Sequence, residues 1–357
     1  VVTGGGAAGA GSTYDNLSAN ANQTGTANAD TFNVTATSFN GTINGAAGAD
    51  VLNFTDAAGT GFTLSNVSAV ETINFAAGLA ASTITYSSDT TVAAGQTLTI
   101  NASQAVGAIT ANFAAETDGN INVTTGFGND IVTGGAGNDT IDSGLGADTV
   151  TAGDGNNTIN TGAGADNVSA GDGNNTINTG ADGDQISVGN GNNNLISGDG
   201  ADSITAGNGN NTVDGGAGND QITVGNGNNT INGGAGNDSI TVGTGTNTVD
   251  GGAGTDTINV ANSTLALGAD KLTSISNFVV ADDTLQTGVA GVATYTLNVA
   301  TSDFTSFVGN ANNAIAALGG GYAAVAGNVF IVNVAAGSAT GQYLVQHRSV
   351  SGTRSVG

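Results

Sequence analysis

From Thr125 to Asn259 the chain divides into fifteen consecutive nine-residue units without an insertion. Each follows G-G-x-G-x-[DN]-x-U-x, where U is a large aliphatic residue and the first position drifts. The U series is Val132, Ile141, Val150, Ile159, Val168, Ile177, Ile186, Leu195, Ile204, Val213, Ile222, Ile231, Ile240, Val249 and Ile258. So short and strict a period constrains the fold more than any other feature of the chain. The glycine half lets the backbone reach positive φ and turn sharply. The x-U-x half is a short strand with its aliphatic side chain inward and its polar neighbours outward. One such strand buries almost nothing alone, so the units must stack. Two units close a flattened turn of 18 residues, and successive turns pair as parallel strands about 4.8 Å apart. The expected fold is all-β, a parallel β-roll.

Consecutive units fall on opposite edges of such a roll. The sixth position of one edge reads Asp130, Asp148, Asp166, Asp184, Asp202, Asp220, Asp238 and Asp256. The other edge reads Asp139, Asn157, Asn175, Asn193, Asn211, Asn229 and Asn247. Carboxylates about 4.8 Å apart repel by roughly 0.9 kcal/mol in water and about 3.5 kcal/mol at an effective dielectric of 20. The repeats contain no Lys or Arg to offset this. A cation between successive loops reverses the sign, and one carboxylate plus loop carbonyls approaches the six to eight oxygens that Ca²⁺ takes. Eight loops enclose seven gaps, so up to seven sites are expected on this edge. The second edge offers one neutral oxygen per Asn, and its sites should be weak or empty. Stacked amides there can bond turn to turn instead, with Asp154 and Asp172 available to strengthen a site near Asp139.

The units "GGAGNDTID", "GGAGNDQIT" and "GGAGNDSIT" resemble the calcium-binding nonapeptide repeats of the RTX family residue for residue. That resemblance implies a parallel β-roll with Ca²⁺ held between loops of adjacent turns. It implies metal ligation by the eight aspartates and by Asp139. Main-chain oxygens would come from Gly216, Gly218, Gly234, Gly236, Gly252 and Gly254.

Composition narrows the partners. Asp and Glu number 28 against 3 Lys and Arg, a net charge of −25. No basic surface exists to displace counterions from a nucleic acid, and anionic lipid is equally disfavoured. No apolar run approaches the ~20 residues of a membrane span. Cys is absent, so packing or metal carries the stability that disulfides give many extracellular proteins. Without Cys, and with the sole His347 in an atypical tail, nucleophile–base catalysis has no residues to use. The chain is read as a non-enzyme. Glu71 and Glu116 stand alone in sequence and are read as solvated.

Four regions are expected. Residues 1–124 form an irregular β-solenoid, since "ADTFNV", "ADVLNF" and "VETINF" recur 20 and 21 residues apart. There "GAAGAD", ending at Asp50, has the form of a single calcium loop standing alone. Residues 125–260 form the roll. In it, Val188, Val224, Val242 and Val260 face Thr161, Thr179, Ser197, Gly215, Gly233 and Gly251 as large against small core filling. Residues 261–346 form a cap, with a helix after the N-cap Ser302 and a terminal hairpin from "NVFIVNV" and "GQYLVQ". Residues 347–357, with Arg348 and Arg354, form a tail foreign to the rest.

Loose rungs ahead of nonapeptides resemble bacterial surface-layer proteins. The expected function is therefore an extracellular, calcium-dependent subunit of a cell-surface lattice or filament, exported by type I secretion. Its partner would be itself, with cell-surface polysaccharide as a second candidate. The alternatives are a secretion and folding module of an enzyme or toxin, and an adhesin or ice-binding solenoid.

Overall fold

The computed structural model describes residues 11–260, apart from positions 36, 59–60, 65 and 87–91. It also describes the strands Leu272–Ser276, Thr284–Thr287, Thr294–Val299, Val329–Val334 and Gly341–Gln346. The helix expected from Ser302 and the tail 347–357 lie outside the described residues. Two compact units form, residues 1–185 and 186–357, and each is built as a parallel β-solenoid. Among the described residues there is no helix.

In the first unit the early turns have three faces. One sheet takes Thr13–Leu17, Thr31–Val34, Val51–Phe54, Thr72–Phe75, Thr97–Asn101 and Asn120–Thr124, and continues through Thr140–Asp142 and Thr158–Asn160 to Thr176–Ala181. A second takes Ser38–Phe39, Gly61–Thr63, Ser82–Thr85, Ile109–Asn112, Ile131–Thr133, Thr149–Thr151 and Asn167–Ala170. A short third sheet, Asn22–Thr24, Thr42–Asn44 and Val67–Ser68, closes the side. Register shows the turn lengthening and then shortening along the chain, from Thr13 paired with Thr31 onward. Thr31 pairs with Val51, Val51 with Thr72, Thr72 with Thr99 and Thr97 with Asn120. From Asn122 paired with Thr140, each partner lies 18 residues on.

Turn length sets what the core can hold. The longer turns enclose an aromatic column. Phe54 lies 4.6 Å from Phe62, 5.1 Å from Phe75 and 5.5 Å from Phe39, ring centre to ring centre. Phe113, beside Tyr86 at 6.0 Å, is the last buried aromatic among the described residues. Beyond it the 18-residue turns leave room between two facing sheets for aliphatic side chains only. Every U residue is 2 % exposed or less, which is the inward slot that the nine-residue period requires.

In the second unit one sheet runs through Asn194–Asp199, Thr212–Ala217, Thr230–Ala235, Thr248–Ala253 and Leu272–Ser276 to Thr294–Val299. The other runs through Ser203–Ala206, Gln221–Val224, Ser239–Val242 and Thr257–Val260 to Thr284–Thr287. Val329–Val334 joins the first sheet, and Gly341–Gln346 pairs antiparallel to it. These two strands are the expected terminal hairpin.

Candidate metal site

Each sixth-position Asp sits at the mouth of its strand, and one carboxylate oxygen ties two turns together. In the first unit the backbone N–H groups of Asp130, Asp148 and Asp166 donate to Oδ1 of Asp148, Asp166 and Asp184 at 2.7–2.8 Å. In the second, those of Asp202, Asp220 and Asp238 donate to Oδ1 of Asp220, Asp238 and Asp256 at 2.9 Å. The other oxygen is the unusual one. Oδ2 of Asp130, Asp148, Asp166, Asp220 and Asp238 is buried without a hydrogen-bond partner. A buried acceptor left bare costs about 1–3 kcal/mol, and more when charged.

The amide edge shows what completes the same seat. Asn211 and Asn229 use Oδ1 as the aspartates do. Asn211 Nδ2 donates to the carbonyls of Gly207 and Gly209 and to Asn229 Oδ1. Asn229 repeats this with Gly225, Gly227 and Asn247, and Asn157 in the first unit with Gly153, Gly155 and Asn175. An amide brings two N–H donors to these carbonyls, whereas a carboxylate brings only an acceptor. Oxygen facing oxygen demands a cation.

At four of these seats the bare carboxylate goes with a left-handed loop residue, whereas Asp130 is bare although Gly126, four residues before it, lies outside that region. Four residues before Asp148, Asp166, Asp220 and Asp238 stand Gly144, Gly162, Gly216 and Gly234, with φ of 95°, 91°, 95° and 111°. Glycine is required there, because L side chains rarely adopt that region. Where the equivalent residue keeps negative φ, its N–H can reach the carboxylate. Gly135 donates to Asp139 Oδ2 at 3.0 Å while Ile121 donates to Oδ1 at 2.9 Å. Asp139 therefore has donors on both oxygens and stands on the amide edge, apart from the bare aspartates. Asp154 is on an exposed loop tip of that edge, accepting the Asp172 N–H at 2.8 Å.

The first position of each Asp-edge unit lies beside the carboxylate. A Cβ placed on Gly215 would sit 2.6 Å from Asp220 Oδ2 and 2.5 Å from the Gly233 carbonyl oxygen. On Gly233 it would sit 2.5 Å from both Asp238 Oδ2 and the Gly251 oxygen. Two oxygens of successive turns thus converge on one narrow gap. In the first unit the position holds a hydroxyl: Thr125 and Thr161 donate to the Ser143 and Thr179 carbonyls at 2.8 and 3.3 Å. The Ser143 hydroxyl is close enough to favour a charged Asp148 without reaching hydrogen-bond geometry. These residues are buried as the core reading required, but they also line the carboxylate seats, which that reading missed. Gly233→Ala should lower stability in saturating Ca²⁺ by about 1–3 kcal/mol, since the contacted carbonyl belongs to the ladder. Gly61→Ala, with nothing within 4 Å of its added Cβ, should be near neutral. Thermal melts of the two variants would check this pair.

Electrostatics agree with the geometry. Burial pushes the Asp148 carboxyl up to about 6, Ser143 and the Asp130 N–H oppose it, and the neighbouring Asp130 and Asp166 charges add to it. Burial likewise raises Asp238 to about 6, against the Asp220 N–H and with the charges of Asp220 and Asp256. Asp130, Asp166 and Asp220 are raised by the same burial. The seat disfavours a bare negative charge.

The donor set fits Ca²⁺. Among the described residues no three His, Cys, Asp or Glu side chains converge, so the ligands are one carboxylate per loop with main-chain oxygens. By position, the carbonyls matching those that Asn211 and Asn229 use are Gly216 and Gly218 for Asp220, Gly234 and Gly236 for Asp238, and Gly252 and Gly254 for Asp256. Hard oxygens with irregular spacing suit calcium and not zinc.

Two acidic residues depart from expectation. Glu116 is buried, not solvated, and its Oε1 accepts the N–H groups of Gly119 and Asp118 at 2.9 and 3.3 Å. Glu71 is exposed, yet its Oε2 accepts the Asp50 N–H at 2.6 Å. A Glu can reach back over its own loop or across one turn, and neither contact leaves a local pattern in the chain.

Comparison with known proteins bears on the same segment. The family model of the RTX calcium-binding nonapeptide repeat matches in four copies, at residues 118–150, 151–186, 187–222 and 223–258. No curated protein matches the chain. Among solved structures, the chain is similar to a hyperactive, Ca²⁺-dependent, β-helical antifreeze protein from an Antarctic bacterium. The two are 22 % identical over 92 % of this chain and 94 % of that one, with a TM-score of 0.43. Residues 118–258 are RTX calcium-binding nonapeptide repeats, and Ca²⁺ is the cofactor of their aspartate edge.

Proposed function

We propose that this chain is an extracellular structural protein that folds when calcium neutralises its aspartate edge and then assembles with copies of itself at a cell surface. The buried, partnerless Oδ2 atoms carry the reading. A chain with these seats is unstable at low calcium and stable at high calcium, which suits export in an unfolded state by a type I route and folding outside. When bound, Ca²⁺ supplies the positive charge that the repeats lack. The chain's own part is to hold each carboxylate in register through Oδ1 and to turn the loop glycines so that oxygens face one gap.

Assembly has a surface that suits it. Phe127 and Leu145 are both 48 % exposed on the loops of the first unit. They bridge turn to turn, and Ala163 and Ala181 continue the row. Apolar side chains held in a straight file at solvent favour contact with another copy. The test is a calcium titration of the purified chain, with circular dichroism for β-structure and electron microscopy for order. Sheets or filaments should follow folding, and Phe127→Ser with Leu145→Ser should abolish them without changing the folding midpoint. A chain that folds on calcium and stays monomeric overturns the assembly reading and favours a secretion and folding module.

A second reading rests on a different surface. Asn190, Asn208 and Asn226 form one exposed rank in the second unit, and Asn192, Asn210 and Asn228 form another. Within each rank the backbone N–H of one Asn or the following Thr donates to Oδ1 of the residue before it at 2.7–3.0 Å. Regular amides fixed in this way suit ordered water or a polysaccharide. Thermal hysteresis of the folded monomer would favour ice binding over assembly.

A further inference from the structure

One loop outside the nonapeptide repeats reproduces their bare carboxylate. Residues 45–50 read Gly-Ala-Ala-Gly-Ala-Asp. Asp50 is 1 % exposed; its Oδ1 accepts the Asp30 N–H at 2.7 Å, and its Oδ2 is buried without a partner. A Cβ on Gly45 would lie 2.4 Å from Asp50 Oδ2 and still nearer the Ala69 carbonyl oxygen of the next turn. The same convergence stands beside Gly215 and Gly233, and also beside Gly25 at Asp30 and Gly134 at Asp139; what sets Asp50 apart from those two is its bare Oδ2. Backbone conformation repeats as well: Ala46 has φ of 77° and Gly48 has φ of 139°, against 95° and 144° at Gly216 and Gly218. Ala46 holds the left-handed conformation without being glycine, which costs about 1–3 kcal/mol. Its N–H is turned to Asn44 Oδ1 at 2.9 Å, so it cannot complete Asp50.

The turn before provides the contrast. Asp30 occupies the same ladder, and Thr26 stands where Ala46 does. Thr26 gives Asp30 Oδ2 both its N–H and its hydroxyl, while the Ser12 N–H meets Oδ1. Burial opposes ionisation of Asp30, but these donors outweigh it and hold the carboxyl below its usual range. Asp50 is raised instead, first by burial and then by the charges of Glu71 and Asp30, against the Asp30 N–H. Glu71 reaches over from the next turn through its bond to the Asp50 N–H. The Asp50 carboxylate and the Ala69 carbonyl converge at this loop, the Glu71 carboxylate reaches its backbone from the next turn, and no basic side chain exists within the first 270 residues to balance them.

We propose that the loop 45–50 binds one Ca²⁺ of its own, outside the repeats, with Asp50 as the buried ligand, Glu71 as the exposed one and main-chain carbonyls completing the set. Asp50→Asn brings an amide into the seat, as Asn157 does in the repeats, and should fold. The full chain in saturating Ca²⁺ should then bind one ion fewer per molecule by equilibrium dialysis, with its circular dichroism unchanged. A folded D50N chain with the wild-type ion count overturns the proposal. Should D50N not fold, Glu71→Gln at an exposed position should weaken one ion about tenfold, since calcium affinity follows ligand charge. An unchanged isotherm in that variant also overturns it. Asp220→Asn separates this site from the repeats. It should remove repeat calcium while the amide exchange of residues 45–50 in Ca²⁺ stays as in the wild type.

Discussion

In a calcium chelator at neutral pH, the D148N/D166N/D220N/D238N chain keeps its β-structure while the wild type loses it. Replacing a ligand usually weakens a metalloprotein, but here the structure points the other way. Each of the four aspartates leaves Oδ2 buried and bare, and each seat has a counterpart on the amide edge where Nδ2 meets two loop carbonyls. An amide should therefore recover about 1–3 kcal/mol per seat in the metal-free state and remove a charge from a file of like charges. The sum is comparable to the whole stability of an ordinary domain, roughly 5–15 kcal/mol. The same variant should bind fewer calcium ions and show a shallower calcium dependence. Far-ultraviolet circular dichroism with and without chelator measures both effects. If the variant unfolds in chelator as readily as the wild type, the equivalence of the two edges is wrong.

Acid should replace calcium. Without metal, the carboxyls of Asp148 and Asp238 titrate near 6 in the folded state, against 3.8 for an ordinary Asp. A raised folded value means that the folded chain binds more protons than the unfolded chain between those limits. The stabilisation is complete below about 3.8 and is lost as pH rises through about 6. The metal-free melting temperature should thus be higher at pH 4.5 than at pH 7.5. Lowering the net charge from −25 acts in the same direction. In saturating calcium the slope should reverse, because protons then compete with the metal for the same oxygens. Melts at the two pH values, each with calcium and with chelator, give the four numbers needed. A metal-free chain that melts higher at pH 7.5 would contradict the burial of these carboxylates.

Much of this was legible in the chain. The nine-residue beat located every strand of the repeats, and the alternation of Asp with Asn at the sixth position separated the two edges. The conformational difference between equivalent loops was not legible. Gly135 and Gly144 are the same residue at the same place in their units, yet one donates to its Asp and the other turns away at φ 95°. Residue type alone does not encode that difference. The Thr, Ser and Gly at the first position read as core fillers for a related reason. Burial was evident from the period, but the carboxylate they touch comes from five residues later across a turn. Glu116 was misjudged because a single Glu has no period at all, and only the surrounding turns bury it. At Asp50 the loop pattern was visible, while the missing donor depends on Ala46 and Asn44.

The aromatic column of the first unit gives folding a starting point. Stacked repeats have a nucleation problem, because the first turn is ordered before it has a neighbour to pair with. The turns ahead of the repeats bury Phe32, Phe54, Phe62 and Phe113 completely or nearly so, and they hold Asp30 with donors from their own chain. This segment can be in place while the repeats after it are still a repelling polyanion. Its last strand, Asn120–Thr124, then presents a finished edge to Thr140–Asp142, and each new turn is added to a template. Calcium would thereby set the rate at which the array lengthens, and the aromatic turns the direction, from the first repeat onward.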